Sequence, residues 1–288
     1  MISDITLGQY FPGKSPIHRL DPRTKILLTV LYIVAVFLAN SPIAFLVLTA
    51  SVLSLIFISG ISLRVILKGI KPIVFVLIFT ALINIFMTKG ESDPLLSLGV
   101  IKIYKEGIIR AVFMALRVIL LIVGTSVLLT YTTSPISLTD GIENLLSPLK
   151  KIGIPVHIFA MMMTIALRFI PTLIEETEKI MNAQKSRGAD FSSGSLIKRA
   201  KALIPILIPL FVSSFKRADE LAVAMECRCY RGDKNRTKLV KLTYRGLDFI
   251  WFGIGLLFLG AVIYLKITPE HLVSLVPEKL FKIFFFRI

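Results

Sequence analysis

The chain is poor in the groups that catalysis needs. Its three histidines, His18, His157 and His271, lie far apart, and its two cysteines, Cys227 and Cys229, are too few for a disulfide framework. A C-x-C pair turns its thiols to different faces if helical, so the two read as reduced bystander thiols and not as a metal site. No Asp, Glu or His occurs within the five apolar segments described below. An intramembrane enzyme would need paired carboxylates, a histidine cluster or a nucleophile with its base there. No catalytic residue, metal site or cofactor site is therefore predicted. A cleavable signal is also missing, because Met1 to Lys25 is polar and broken by prolines. The first apolar segment is expected to remain in the mature chain.

What is abundant is apolar surface and positive charge. Of 288 residues, 55% are hydrophobic, the mean hydropathy is +0.80 and the formal charge is +16, a combination that indicates a membrane protein. The basic residues lie between membrane-length apolar runs and no recognition motif appears, so lipid headgroups and the positive-inside rule explain them better than nucleic acid does. "GQYFPGKS", Gly8 to Ser15, matches the phosphate-loop pattern G-x-x-x-x-G-K-[ST]. It lacks the preceding strand and the following helix, and Pro12 removes one of the N–H groups a phosphate cradle would use. The match reads as a coincidence.

From Ile26 to Leu63 no charged residue occurs, and as one helix this run would measure about 57 Å, nearly twice a hydrocarbon core. It is expected to form two spans, near Ile26 to Leu38 and Ile43 to Ile61, turning at "ANSP" (Ala39 to Pro42). Further spans are expected near Pro72 to Thr88, Ile108 to Tyr131 and Phe249 to Leu265. Arg117 lies a third of the way into the fourth, so it should face protein or a wet cavity. Lys14, Arg19, Arg23 and Lys25, and the loop with Arg64, Lys68 and Lys71, place the N-terminus and that loop in the cytoplasm. Parity puts Thr132 to Arg245 there too, with 18 Lys plus Arg against 10 Asp plus Glu. The expected fold is all-α: a polytopic membrane protein of about five transmembrane helices with a cytoplasmic block of long amphipathic helices. Three regions follow: 1–132, with four spans; 133–245, the cytoplasmic block; and 246–288, the last span with a basic, amphipathic tail that could lie along either membrane surface.

Within the block a first helix is expected from Val156 to Ser186, with Glu175, Glu176 and Glu178 as a solvated face or salt-bridge partners. Pro171 is expected to kink it. A second carries the cleanest periodicity in the chain, Ile204, Ile208, Phe211, Phe215, Ala218, Ala222 and Met225, alternating four and three. Such a seam wants a partner helix. The helices end alike, in Ser186-Arg187-Gly188 and Cys227-Arg228-Cys229. An arginine between two small residues caps the negative end of a helix dipole, and it also offers a bidentate anchor that another protein can approach closely.

With "ITLGQYFPGKSPIHRLDPRTK" at the start, the paired x-Arg-x motifs and "AMECRCYRGDKNRTK" after the second, nearly the whole chain resembles the transmembrane coupling subunit of energy-coupling factor (ECF) transporters, prokaryotic importers of vitamins and transition-metal ions. The start and Arg236 to Lys238 look more like the shared, housekeeping version than one dedicated to cobalt, nickel or biotin. The family's usual motif is Ala-Arg-Gly; here Ser186, Cys227 and Cys229 stand in its small positions, which puts in doubt a need for glycine after Arg228. The resemblance implies a non-catalytic subunit of the prokaryotic cell membrane. Its implied partners are two cytoplasmic ABC-type ATPases gripped through Arg187 and Arg228, and a substrate-binding membrane protein, the S component, docked on the hydrophobic helical surface. A self-sufficient permease is the rival reading, but it would show broken or charged helices at mid-membrane, and the spans offer little beyond Arg117 and Asn84.

Overall fold

The computed structural model describes residues 10–88, 96–98, 101–189, 191, 195–232 and 242–267. The chain divides into two units, Met1–Gly8 with Pro135–Lys241, and Gln9–Ser134 with Leu242–Ile288.

The second of these is a helical bundle. Asp21 caps helix α1 (Pro22–Leu38) by accepting from the Arg23 N–H, with Pro22 at the first helical position. Ser41 does the same for α2 (Pro42–Ser59), accepting from the Ala44 N–H, so "ANSP" is the expected turn. Arg64, Lys68 and Lys71, expected in a loop, are helical instead. Short α3 (Leu63–Ile70) runs through a 3-10 turn at Lys71–Ile73 into α4 (Val74–Met87), because Pro72 lacks the N–H that an unbroken α-helix requires. Two short strands, Leu96–Leu98 and Ile101–Ile103, pair antiparallel and are the one non-helical addition among the described residues. Next come α5 (Lys105–Thr125), which ends in a π turn at Ser126–Thr130, and α9 (Gly246–Ile267). The tail after Ile267 and the stretch Arg236–Lys238 lie outside the described residues.

Among the described residues, five helical stretches are long and apolar enough to cross a membrane: Pro42–Ser59, Leu63–Met87, Lys105–Thr130, Val156–Ser186 and Gly246–Ile267. The set differs from the expected one in two members. Helix α1 has 17 residues, one fewer than α2, about 25 Å, which is at the lower end of what crosses a hydrocarbon core of roughly 30 Å. Val156–Ser186, expected in the cytoplasm, qualifies because its first half is almost uncharged.

The bundle core joins Tyr32, Val36, Leu48 and Val52 to Leu120, Val123, Val127 and Val262. Polar side chains that bind distant backbone hold it together. The Tyr32 hydroxyl donates to the Leu120 carbonyl at 2.8 Å, which requires Gly124, where a Cβ would stand 2.4 Å from the tyrosine ring. Arg117 faces protein as expected, with Nη2 donating to the Ala39 carbonyl at 2.6 Å, and so supplies the end of α1 with a cation. Lys25, expected only as a topological charge, is 2% exposed. Its Nζ donates to the carbonyls of Thr132 (2.8 Å) and His18 (3.3 Å) and to Thr133 Oγ1 (3.1 Å).

Asp248, expected merely to bound the last span, is buried inside the first turn of α9. It accepts from the N–H of Asp21 at 2.8 Å and of Arg245 at 2.7 Å, tying the starts of α1 and α9 together. Asp21 also pairs with Arg23 at 2.9 Å, and that guanidinium stacks 3.9 Å over Tyr244.

The phosphate-loop resemblance does not survive the geometry. Gly8 lies outside the described residues, and Tyr10–Lys14 is irregular and leads into a turn. The Ser15 hydroxyl donates to His18 Nδ1 (2.7 Å), His18 Nε2–H donates to the Phe11 carbonyl (3.0 Å), and the Phe11 N–H donates to the Tyr131 carbonyl (3.0 Å). The hydroxyl and the N–H that phosphate would use are already engaged.

Two consequences are measurable. Asp248→Ala leaves two N–H groups without their acceptor, so it should cost about 2–4 kcal/mol and lower the unfolding temperature in detergent; an unchanged midpoint would refute the tie. Burial holds the His18 imidazole below its ordinary value of 6.5, the Phe11 carbonyl opposing this and the Lys25 charge adding to it. The unfolded chain therefore binds the proton more readily, and stability present above about pH 6.5 is lost as pH falls through the folded-state value. Thermal unfolding of the native chain between about pH 7.5 and about pH 5.5 should show this loss, and His18→Gln should flatten it.

Candidate functional site

The other unit is built on two long helices, α7 (Val156–Ser186) and α8 (Leu196–Cys227), with α6 (Pro135–Leu146) packed against the first of them. Ser195 caps α8 by accepting from the Lys198 N–H at 3.4 Å. Pro171 lies inside α7 and Pro205 and Pro209 inside α8, and both helices continue through them.

The predicted seam is not the face that packs within the chain. Ile208, Phe211 and Phe215 are 60%, 65% and 58% exposed, whereas Ile206, two residues from the start of the seam, is 3% exposed. Two residues turn a helix by about 200°, so the inward face, carrying Ile206, Leu210, Ser213 and Arg217, lies nearly opposite the seam. Polar pairing decides this. Glu176 of α7 accepts from the Ser213 hydroxyl and from Arg217 Nη2, the latter at 3.0 Å. Ile204 is exposed as well, as are Ala218 and Ala222, while Met225 is half-buried. The seven residues therefore form an apolar strip open to a partner.

The two arginines terminate their helices in matching ways. At the end of α7 the Gly188 N–H donates to the Lys185 carbonyl (2.9 Å) and the Ala189 N–H to that of Gln184 (3.0 Å). At the end of α8 the Cys229 N–H donates to the Glu226 carbonyl (2.8 Å) and the Tyr230 N–H to that of Met225 (3.0 Å). Both are Schellman turns with the arginine as C-cap. The turn demands a left-handed residue, and Gly188 (φ 86°) and Cys229 (φ 56°) supply it, Cys229 being the one non-glycine with positive φ among the described residues. The backbone requirement behind the family's glycine thus holds after Arg228 too, and a cysteine meets it at some conformational cost. Ser186, Arg187, Gly188, Cys227, Arg228 and Cys229 are all exposed. Among the described residues neither guanidinium has a partner, so each projects a cation beyond its helix.

Residues 13–239 match a family described as cobalt transport protein (CbiQ). The chain belongs to this family. Among curated relatives, a Clostridium kluyveri protein is 57% identical over 87% of this chain and 92% of its own length. A Ruminiclostridium cellulolyticum protein is 54% identical over 92% and 98%, and a Bacillus subtilis protein 48% identical over 86% and 93%. Each is named energy-coupling factor transporter transmembrane protein EcfT. The resemblance to ECF transmembrane subunits therefore stands, for a multi-pass membrane protein of a bacterial transporter family.

Two signals were missed in the sequence. Lys25 and Asp248 looked like ordinary span-flanking charges, although "LDPRTK" carries the Asp-Pro helix start. Cys229 gave no warning of positive φ beyond its place opposite Gly188.

The matched turns yield opposite expectations. Cys229→Gly should stabilise the protein by about 1 kcal/mol and Gly188→Ala should destabilise it by about the same amount, read as shifts in unfolding midpoint. Equal midpoints would show that the left-handed residue carries no strain.

Proposed function

We propose that this chain is the coupling subunit of an ECF importer, transmitting ATP-driven motion from two cytoplasmic ABC-type ATPases to a substrate-binding membrane protein that takes up vitamins or other micronutrients. The matched, arginine-tipped ends of α7 and α8 carry the reading. Two equivalent ATPases need two equivalent handles, and a guanidinium fork held at a capped helix end can bind carboxylates or backbone carbonyls in two places at once.

The basic residues of 133–245 and the charge pattern of the loops put this region and the N-terminus in the cytoplasm. Val156–Ser186, although apolar enough to span, carries Arg168 within its apolar half and an acidic run beyond it, and it belongs with α8 in the cytoplasmic block. The open strip on α8 is where the S component and lipid meet the subunit, since an apolar face of that size is not left to water. Nucleotide-driven closure of the ATPases moves the helix pair, which tilts the S component and changes its access to either side. The chain itself performs no chemistry, and ATP reaches it through its partners.

Arg187→Glu or Arg228→Glu should abolish copurification of the ATPases or ATP-dependent uptake; retention of both by the double variant would sink the proposal. Lys14→Ala should leave uptake unchanged, and loss of ATP turnover with assembly intact would restore the phosphate-loop reading. Mass spectrometry of the complex from native membranes identifies the S components that share the subunit.

A further inference from the structure

The side-chain contact between α7 and α8 occupies a special place along both helices. Glu176 stands eleven residues before Arg187, and Arg217 stands eleven residues before Arg228. Eleven residues are about three helical turns, or about 16 Å, so each arginine lies at the tip of an arm of equal length measured from a single point. The arms share a pattern: Glu178, Ile180 and Ala183 on one match Asp219, Leu221 and Ala224 on the other at the same offsets. Their ends close with the same pair of backbone hydrogen bonds.

We infer that Glu176, Ser213 and Arg217 form a polar pivot that fixes the two arginine-bearing arms relative to each other, making Glu176 and Arg217 positioning residues for coupling. The inference rests on the coupling role proposed above. Apolar packing cannot set this geometry alone, because Ile206 is the one fully buried side chain on α8 among those described, and an apolar contact that thin allows helices to slide or rotate. A hydrogen-bonded ion pair is directional. Glu176 accepts a hydrogen bond from the Ser213 hydroxyl on one oxygen and from the Arg217 guanidinium on the other, which selects one register of α8 against α7. Arg217 Nε is buried and has no partner among the described residues, so the guanidinium depends on Glu176 for its pairing. A partly exposed pair of this kind adds little net stability; its effect is on which arrangement is populated. With the pivot in place, displacement of one arginine by its ATPase is carried to the other arm.

The test places genetically encoded ketone residues at Asn182 and Val223, each five residues before its arginine, and couples nitroxides to them for pulsed spin-resonance distances in the full chain. The native chain should give one narrow distance. Glu176→Ala and Arg217→Ala should lose it to a broad distribution while helix content by circular dichroism is kept, and the exchange Glu176→Arg with Arg217→Glu should restore the narrow peak. Should either alanine variant fail to fold, Glu176→Gln, which keeps the size and an acceptor but not the charge, is expected to broaden the peak by itself. A narrow peak unchanged in the variants that fold, or an exchange that restores nothing, overturns the pivot. The same preparations, mixed with the copurified ATPases, separate the two ideas. If the native chain binds no ATPase the coupling role falls, while the distances still decide whether the pivot exists.

Discussion

Side chains that reach across sequence to bind backbone groups, most of them at helix ends, hold the membrane bundle in its arrangement. Lipid is as apolar as leucine and supplies no hydrophobic drive between helices, so packing and hydrogen bonds must do it. Asp248 holds the Asp21 N–H, Lys25 the Thr132 carbonyl, Arg117 the Ala39 carbonyl and Tyr32 the Leu120 carbonyl. Each bond joins two elements at a defined height, and together they position α1 against α5 and α9. The apolar core fills the space these bonds define.

The α7–α8 pair obeys the same rule with less apolar support. Glu176 joins α7 and α8 through Ser213 and Arg217, and the opposite face of α8 stays uncovered. For a stable soluble domain that exposure would be a fault. For the coupling subunit proposed above, it is the expected state of a lever without its load. The capped turns at Arg187 and Arg228 satisfy the last carbonyls of both helices and keep their ends from fraying.

Much of this was legible in the amino-acid order. "ANSP" marked the α1–α2 turn because Ser and Pro are the natural opening of a helix. The helix from Val156 to Ser186 followed from periodicity and from the small residues around Arg187. The arginine motifs were visible as motifs, and Arg117 declared itself because a guanidinium in an apolar helix must find protein. The seam on α8 was legible as an apolar face that wants a partner helix, but its exposure leaves that partner unnamed. Periodicity tells which residues share a face and not which face meets α7, and a polar trio outweighed the cleaner apolar stripe.

Sequence by itself determined the helical character, the long apolar runs, the positions of the helix starts and the two arginine ends. These are local properties, set by composition, spacing and capping within a few residues. Tertiary structure alone decided what is set by distance: that Asp248 binds Asp21 across most of the chain, that Lys25 is buried among neutral acceptors, and that Glu176 stands level with Arg217. Such pairings depend on how elements far apart in sequence come together, and a residue's type records that it can form a bond without recording with whom.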